Sequence, residues 1–526
     1  MAEVLFGQSY YLGFDPKLWE AMQPYPPLGT LYAASYVRGR NYEVALFDAM
    51  LARSEHEWAS ALDRSRPRFA VIYEDNFNYL SKMCLLRMRQ AAFRMIDMAR
   101  TRGCVTIVAG SDATDRAPLY LSRGAHFVLN GEGEVTLGEL LERLSGRTPT
   151  PLDRIPGMTF AAEDGSGITV TARRPDLTDL DALPPPAWDL VDVGRYREIW
   201  SRRHGYYSMN MATSRGCPYH CNWCAKPIWG QRYHVRSPES VVTELKWLRE
   251  AYHPDHIWFV DDILGLKPGW VQRFADLVER EGVRTPFKSL CRVDLLLRGD
   301  TVPALRRAGA RTVWVGAESG SQAILDAMDK GTSVENTLEA TRRLRAAGIE
   351  VGFFLQFGYP GETRSDIAAT LRLVRDCRPD DIGMSVSYPL PGTKFHDAVR
   401  EQLGHQQNWI DSSDLAMMYE GPFGTAFYRT LHVVLHKEFR LRRAWAALTS
   451  GSPSRARARV AGPRRGPGRL RLLASVLYHA ATLPPARLRL ELRAHRPHRR
   501  IEPLPRFMSA EAAARPTAQP DPLAGS

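Results

Sequence analysis

The chain has only 7 cysteines in 526 residues, and Met1–Phe6 offers no basic stretch ahead of an apolar one. A disulfide framework and a secretory signal are therefore both disfavoured, and a cytoplasmic protein with reduced thiols is expected. Long apolar runs are missing as well. The longest weakly charged one, Leu472–Ala486, holds His479 and a Pro-Pro pair and is too short to span a bilayer. No G-x-G-x-x-G opens the first helical stretch, which disfavours a dinucleotide. No internal repeat is visible. Acidic charge is scarce in one region only: Lys437–Arg506 contains 18 Lys+Arg against 3 Asp+Glu. The formal charge of +12 originates there, and the body of the chain is not basic in the way a nucleic-acid binder is.

What the chain does have is alternation, over a length that suggests two or three domains. In residues 1–150, β-rich runs at Glu3–Phe6, Glu43–Phe47, Phe69–Tyr73, Val105–Val108 and His126–Leu129 alternate with helical stretches near Leu28–Arg38, Glu55–Arg64, Lys82–Arg102 and Thr136–Leu144. Repeated strand–helix–strand units predict an α/β fold with a doubly wound parallel sheet, Rossmann-like, whose ligands sit beyond the carboxyl ends of the strands. Polar residues and glycines occupy those ends, at Gly7–Tyr10, Asp48–Met50, Glu74–Phe77, Gly110–Asp112 and Asn130–Glu134. A flavodoxin-like interaction domain without a ligand is the plain alternative.

Residues 151–205 read as a connector, with a hairpin of Gly157–Ala161 against Ile168–Ala172 followed by the stiff run Pro184-Pro185-Pro186. Residues 206–395 carry strand-like runs at Ser208–Ala212, Ile257–Val260, Lys288–Val293, Thr312–Val315, Val351–Gln356 and Ile382–Ser387. Helical stretches between them predict a partial (β/α)6 barrel with its site at the carboxyl ends of the strands. Residues 396–506 form a basic helical region. Asn408–Met418 and Phe427–Leu448 read as helices, Ser452–Arg469 as mobile, and Leu470–Ala481 and Ala486–Ala494 as Leu/Arg helices split by Pro484-Pro485. That last pair suits a lid, a partner surface or peripheral contact with anionic lipid. Residues 507–526 read as a disordered tail.

One stretch organises the rest. Cys217, Cys221 and Cys224 stand at C-x3-C-x2-C in a loop that Gly216 and Pro218 keep from being helix or strand. Three thiolates make an incomplete shell for an iron–sulfur cubane, leaving one iron open to another ligand. A structural zinc wants a fourth ligand, and His220 would have to double back to supply it. An odd number excludes pairing all three as disulfides. Cys84, Cys104, Cys291 and Cys377 are scattered and read as structural.

The cysteine loop, with aromatic Trp223 before its last cysteine, resembles the signature of radical S-adenosylmethionine (SAM) enzymes. The domain order, together with Pro24–Gly29 and Gly131-Glu132-Gly133-Glu134, resembles the cobalamin-dependent branch of that family over most of residues 1–395. The resemblance implies a [4Fe-4S] cluster on Cys217, Cys221 and Cys224 with SAM on the open iron, cobalamin in the N-terminal domain, and an electron donor such as flavodoxin. It further implies that Glu318 and Ser319 contact the ribose and amino-acid parts of SAM, that Phe357–Glu362, with Gly358, forms an adenine shelf, and that Trp223 offers backbone polar groups to adenine. Arg292, closing the third barrel strand, suits a carboxylate; Asp261 and Asp262 suit helix caps as well as ligands. Ser9, Asp48, Tyr73, Gly110, Ser111, Gly131 and Glu132 are the candidate cobalamin contacts. One departure stands out: where many cobalamin domains have D-x-H-x-x-G, this chain has Asp48-Ala49-Met50-Leu51-Ala52-Arg53, so no axial imidazole is expected there. The loop Tyr73–Phe77 is the candidate for the lower face.

The expected activity is methylation of an unactivated carbon of a small-molecule substrate, a natural product or lipid-like molecule. A cyclisation or rearrangement using the same cofactors is one alternative, and a non-enzymatic corrinoid or zinc binding module is another.

Overall fold

The computed structural model describes residues 2–162, 165, 167–224, 228–404, 408–449 and 468–494. The tail read at 507–526 lies outside that set, as does all but the end of Ser452–Arg469.

The first sheet contains β1 (Val4–Gly7), β2 (Val44–Leu46), β3 (Phe69–Tyr73), β4 (Val105–Ala109), β5 (Phe127–Leu129), β6 (Met158–Ala161) and β7 (Ile168–Val170). Its order is β2-β1-β3-β4-β5-β6-β7, with the first five strands parallel. Every residue of β1 and β3 is buried, as strands covered by helices on both faces must be. The order reverses between β1 and β3, and at such a switch point the diverging loops open a crevice. The hairpin β6–β7, read from the sequence as part of a connector, pairs antiparallel onto β5 and extends this sheet.

The second sheet has the order β15-β14-β13-β12-β11-β8, all parallel, and curves as a half-barrel. Its strands are β8 (Ser208–Met211), β11 (His256–Phe259), β12 (Phe287–Cys291), β13 (Ala310–Glu318), β14 (Glu350–Phe357) and β15 (Asp381–Val386). A two-stranded ribbon, β9 (Ser214–Arg215) and β10 (His234–Val235), brackets the cysteine loop. β13 runs past its expected end at Val315, and its register shifts between Gly316 and Glu318. That irregularity re-aims Glu318, which sits at φ +53°.

The first sheet packs its two faces into separate apolar layers, and a third, larger cluster joins the second sheet to loop and helix residues of the N-terminal region such as Tyr10, Leu28, Tyr32 and Phe77. Tyr25, ahead of the first long helix, packs against Trp200 and Trp258 with ring centroids 5.1 and 4.8 Å away. Residues that follow strands in one sheet touch residues that follow strands in the other. Lys82 pairs with Asp262 at 2.5 Å, and Arg215 with Glu132 and Glu134 at 2.9 and 2.8 Å. The carboxyl ends of the two sheets therefore face each other.

Three expectations are corrected. The helix read at Lys82–Arg102 is two, Tyr79–Met83 and Leu86–Arg100, broken at Cys84, whose φ is +51°. Asn408–Met418 is a loop rather than a helix. Its short polar side chains bond locally, Ser413 to Asp411 and the Ile410 N–H to Asp414, which offers the backbone an alternative to helix. The same loop causes the break at Cys84: Asn408 Nδ2 donates to the Cys84 carbonyl at 2.8 Å, and the Trp409 carbonyl accepts from the Leu86 N–H at 2.8 Å. Finally, Arg469–Ala494 is one helix that continues through Pro484 and Pro485. Val476, His479, Leu483 and Ala486 are buried on one of its faces, and Lys437 and Glu438 of the helix Thr425–Thr449 bond to its Thr482 and Arg487. Packing of that face offsets the hydrogen bonds that the prolines remove.

Candidate functional site

The cysteine loop follows β8 and is held at three places. Gly216 opens it at φ +80°, where a Cβ would stand 2.3 Å from the Arg232 carbonyl oxygen, so a side chain there is excluded. Asp261, after β11, accepts from the Thr213 N–H and hydroxyl at 2.9 Å each and from the Ser214 hydroxyl at 2.7 Å. Burial pushes its carboxyl up to about 6 despite those bonds, and its second oxygen is buried without a partner. Asn222, between the second and third cysteines, donates from Nδ2 to the Ala327 carbonyl at 2.7 Å and accepts from the Tyr359 hydroxyl at 3.0 Å. Its backbone N–H and carbonyl are also bonded, to Met328 and Phe395. The loop is thus pinned by backbone and amide contacts.

Cys221 is buried and Cys217 and Cys224 are half-buried; none of the seven cysteines forms a disulfide. Among the described residues, no three His, Cys, Asp or Glu side chains converge on a point where a single ion would sit. A cubane puts its thiolates on separate irons and does not need that convergence. Two buried cations stand beside Cys221. Burial works against both, but Asp294 and Cys221 hold the Arg292 guanidinium charged, and Glu318 and Cys221 do the same for the Lys330 ammonium. Arg292 lies over the Tyr219 ring at 3.6 Å and donates to Asp294 at 2.9 Å, and Lys330 donates to Glu318 at 2.7 Å. A Cβ on Gly316 would fall 2.4 Å from the Glu318 carboxylate and 2.6 Å from Lys330 Nζ, so glycine makes room for that pair.

The remaining barrel candidates sit around this centre. Ser319 is fully buried and its hydroxyl lies 3.2 Å from that of Thr370, so its polar group is engaged within the protein. Trp223 packs on Met328, Tyr359, Phe395 and Tyr419, with its indole N–H buried and unpartnered. Gly358, at φ +81°, donates its N–H to Glu362 at 2.8 Å, and its carbonyl accepts from Tyr419. Burial pushes the Glu362 carboxyl up to about 8. The folded state therefore retains a proton that the unfolded chain gives up near pH 4.5, and stability from this group falls as pH rises from about 4.5 through 8. Glu362→Gln should remove that dependence, raising stability at pH 8 relative to wild type by roughly 2–4 kcal/mol while changing little at pH 4. Denaturant melts at the two pH values check it; equal shifts at both would show that the buried carboxyl does not titrate in this window.

On the opposite side, the candidates divide. The Ser9 N–H donates to Glu74 at 3.2 Å across the β1/β3 switch point, and the Ser9 hydroxyl is buried without a partner. The Tyr10 hydroxyl, Ser81 hydroxyl and Asn130 Oδ1 are likewise buried and unpartnered. Gly131 has left-handed φ +76° and lies against the Ile228 carbonyl of the cysteine-loop segment. The other candidates are engaged within the protein. Asp48 accepts from the Tyr196 hydroxyl at 2.7 Å, and burial pushes its carboxyl up to about 6. The Tyr73 hydroxyl accepts from the Gly133 N–H at 3.3 Å; Ser111 donates to the Lys82 carbonyl at 2.9 Å. A Cβ on Gly110 would meet Glu74 at 2.7 Å, and Glu132 is paired with Arg215.

Lys330 and Tyr79 are residues that the sequence reading missed. Tyr79 keeps 55% of its surface, yet its phenol is raised, first by desolvation and then by Cys224 and Glu318. Tyr79 opens the short helix after β3, within electrostatic reach of Cys224 and Glu318 of the half-barrel. Neither residue belongs to a motif; only the approach of separate strand ends reveals them.

Residues 211–374 match the Radical SAM superfamily. The chain carries a radical SAM domain. The chain is similar to an uncharacterized methyltransferase of Pyrococcus horikoshii, 29% identical over 54% of this chain and 60% of that one, so the chain spans under two thirds of that relative's length. An anaerobic magnesium-protoporphyrin IX monomethyl ester cyclase of Rubrivivax gelatinosus is 24% identical over 74% of this chain and 68% of its own. The hopanoid C-3 methylase of Methylococcus capsulatus is 26% identical over 80% and 78%. Among solved structures, the radical SAM methyltransferase TsrM of Kitasatospora setae, with cobalamin and a [4Fe-4S] cluster bound, matches with TM-score 0.61 at 21% identity over 76% of this chain and 75% of that one. OxsB, with aqua-cobalamin and SAM bound, matches with TM-score 0.66 at 15% identity over 94% and 76%. The radical SAM domain here thus stands in the two-sheet fold of cobalamin-dependent radical SAM enzymes.

Proposed function

We propose that this protein is a cobalamin-dependent radical SAM methyltransferase acting on an unactivated carbon of a small natural-product or lipid-like molecule. The observation that carries the reading is the facing of two carboxyl-end sites: the β1/β3 switch point, with buried unpartnered polar atoms nearby, opposite a three-cysteine loop backed by two buried cations. When bound, the cluster and SAM supply one-electron hydrogen abstraction from carbon, and cobalamin supplies a transferable methyl group.

The chain's own part is to bind and to exclude. Cys217, Cys221 and Cys224 would hold the cluster. Arg292 and Lys330 would offset its negative charge, and Lys330, bonded to Glu318, would hold that carboxylate in place for the ribose of SAM. Trp223 and Gly358, with Ser319 behind them, shape the wall for the rest of that ligand. Ser9 and Gly131 line the corrinoid crevice. Asp48, Tyr73, Gly110, Ser111 and Glu132 shape it from behind through the contacts described above. No side chain of residues 48–53 is an imidazole. Substrate would lie beside Tyr79, held between the two sites so that both reacting groups reach one carbon. A reduced flavodoxin-type protein is the proposed electron donor.

The test is anaerobic assay of the reconstituted protein with candidate substrates. A methyltransferase of this type should consume two SAM per product and release S-adenosylhomocysteine together with 5′-deoxyadenosine and methionine. The cyclase relative favours a second reading, rearrangement without methyl transfer. Product formed without S-adenosylhomocysteine would decide for that reading.

A further inference from the structure

The helix Arg469–Ala494 has two apolar faces. One carries the buried Val476, His479, Leu483 and Ala486 and packs on the helix Thr425–Thr449. At 100° per residue the opposite face should be polar, because it points away from the protein. Instead Leu470, Leu473, Leu477, Ala481, Leu488 and Leu492 fall on it at spacings that keep them in one stripe. Four of these leucines are among the most exposed apolar residues of the chain: Leu470 at 83%, Leu477 and Leu488 at 62%, and Leu492 at 64%. Arginine borders the stripe on both sides, Arg471 and Arg489 along one edge and Arg469 along the other, each about 100° from its centre; Arg487, also on that second edge, is paired with Glu438 of the neighbouring helix. The single acid of the helix, Glu491, is paired with Arg364 of the half-barrel.

We propose that this face seats the protein on an anionic lipid bilayer, with the helix lying in the interfacial plane. The leucines would enter the boundary between headgroups and acyl chains, and the arginine stems would extend along the apolar surface while their guanidinium groups meet lipid phosphates. Charge selects this occupant. A second copy of the same face would bring one row of arginines against another. The chain on either side of the helix, with Arg455, Arg457, Arg459, Arg464 and Arg465 before it and Arg496, Arg499 and Arg500 after it, adds further positive charge. Among the described residues no helix is long and apolar enough to cross a membrane, so the contact is peripheral. The inference stands independently of the methyltransferase reading.

Co-sedimentation of the full chain with vesicles tests it. Wild type should bind phosphatidylcholine vesicles containing 30 mol% phosphatidylglycerol at least tenfold more tightly than pure phosphatidylcholine, and binding should weaken at 0.5 M NaCl. The triple variant Leu473→Glu/Leu477→Glu/Leu488→Glu should lose at least tenfold in that affinity, with an unchanged circular dichroism spectrum and melting midpoint. Should it fold poorly, Arg471→Glu/Arg489→Glu, confined to exposed positions, should show the same loss. Wild-type binding by folded forms of these variants, or equal binding to neutral vesicles, overturns the proposal. A wild-type dimer in light scattering that the triple variant converts to monomer overturns it in favour of a second copy.

Discussion

Cys221→Ala protein, purified and reconstituted without oxygen, is expected to hold less iron than wild type and to leave SAM intact. Of the three cysteines, Cys221 is the buried one, adjoining Asn222, which ties the loop to the segment after β13 and to Phe395. Losing one sulfur from such a place costs the fold little, on the order of 1 kcal/mol. The loss of function would therefore be chemical: two thiolates cannot anchor three irons, and Arg292 and Lys330 would face an emptied position. Iron and sulfide analysis, the paramagnetic resonance signal of the reduced protein, and 5′-deoxyadenosine release check the expectation together. SAM cleavage at the wild-type rate would show that the cysteine loop is not the redox centre, and the proposed function would fall with it.

Arg215→Ala should be the most destabilising single change between the two sheets. The guanidinium sits between Glu132 and Glu134, and all three side chains are at most 5% exposed. Burial pushes the Glu132 carboxyl up, while the flanking carboxylates keep Arg215 charged. Removing the cation leaves two buried carboxylates facing each other, which costs about 3–5 kcal/mol. Its loss also frees the loop after β5 from the strand that leads into the cysteine loop, so the melting midpoint should fall and, on the proposed function, corrinoid retention with it. A companion variant with Glu132→Gln and Glu134→Gln added to Arg215→Ala should recover much of the stability. A single variant within about 0.5 kcal/mol of wild type would mean that the triad is not a stabilising junction.

The strands β1 and β3 were legible because their apolar runs have no polar face to confuse the pattern; both are buried at every position. The cysteine loop was legible by spacing, and Glu318 by its neighbouring small residues. Lys330 was not, because it reaches Glu318 only through the bulge at the end of β13. Tyr79 was not, because Cys224 and Glu318, the groups that act on it, belong to a part of the fold distant in the chain. Ser111 and Asp48 stood at the right strand ends for ligand contact, yet their polar atoms meet Lys82 and Tyr196, a choice that strand-end position alone does not make. The prolines at 484 and 485 suggested a stop that tertiary packing overrode, and Asn408 suggested a helix that its own side chain helps to prevent.

The seam made by Asn408, Trp409 and Ser412 has a consequence for how the protein comes into being. Ser412 bonds to Asp15, and Asn408 and Trp409 bond to residues on either side of the Cys84 break. A ribosome delivers the first domain nearly whole long before it delivers these three residues. Until they emerge, the stretch around Cys84 lacks its native partners, so the growing polypeptide should carry an open joint in its oldest part. Nascent chains halted at residue 400 should be nicked there by protease, and those released beyond residue 420 should not.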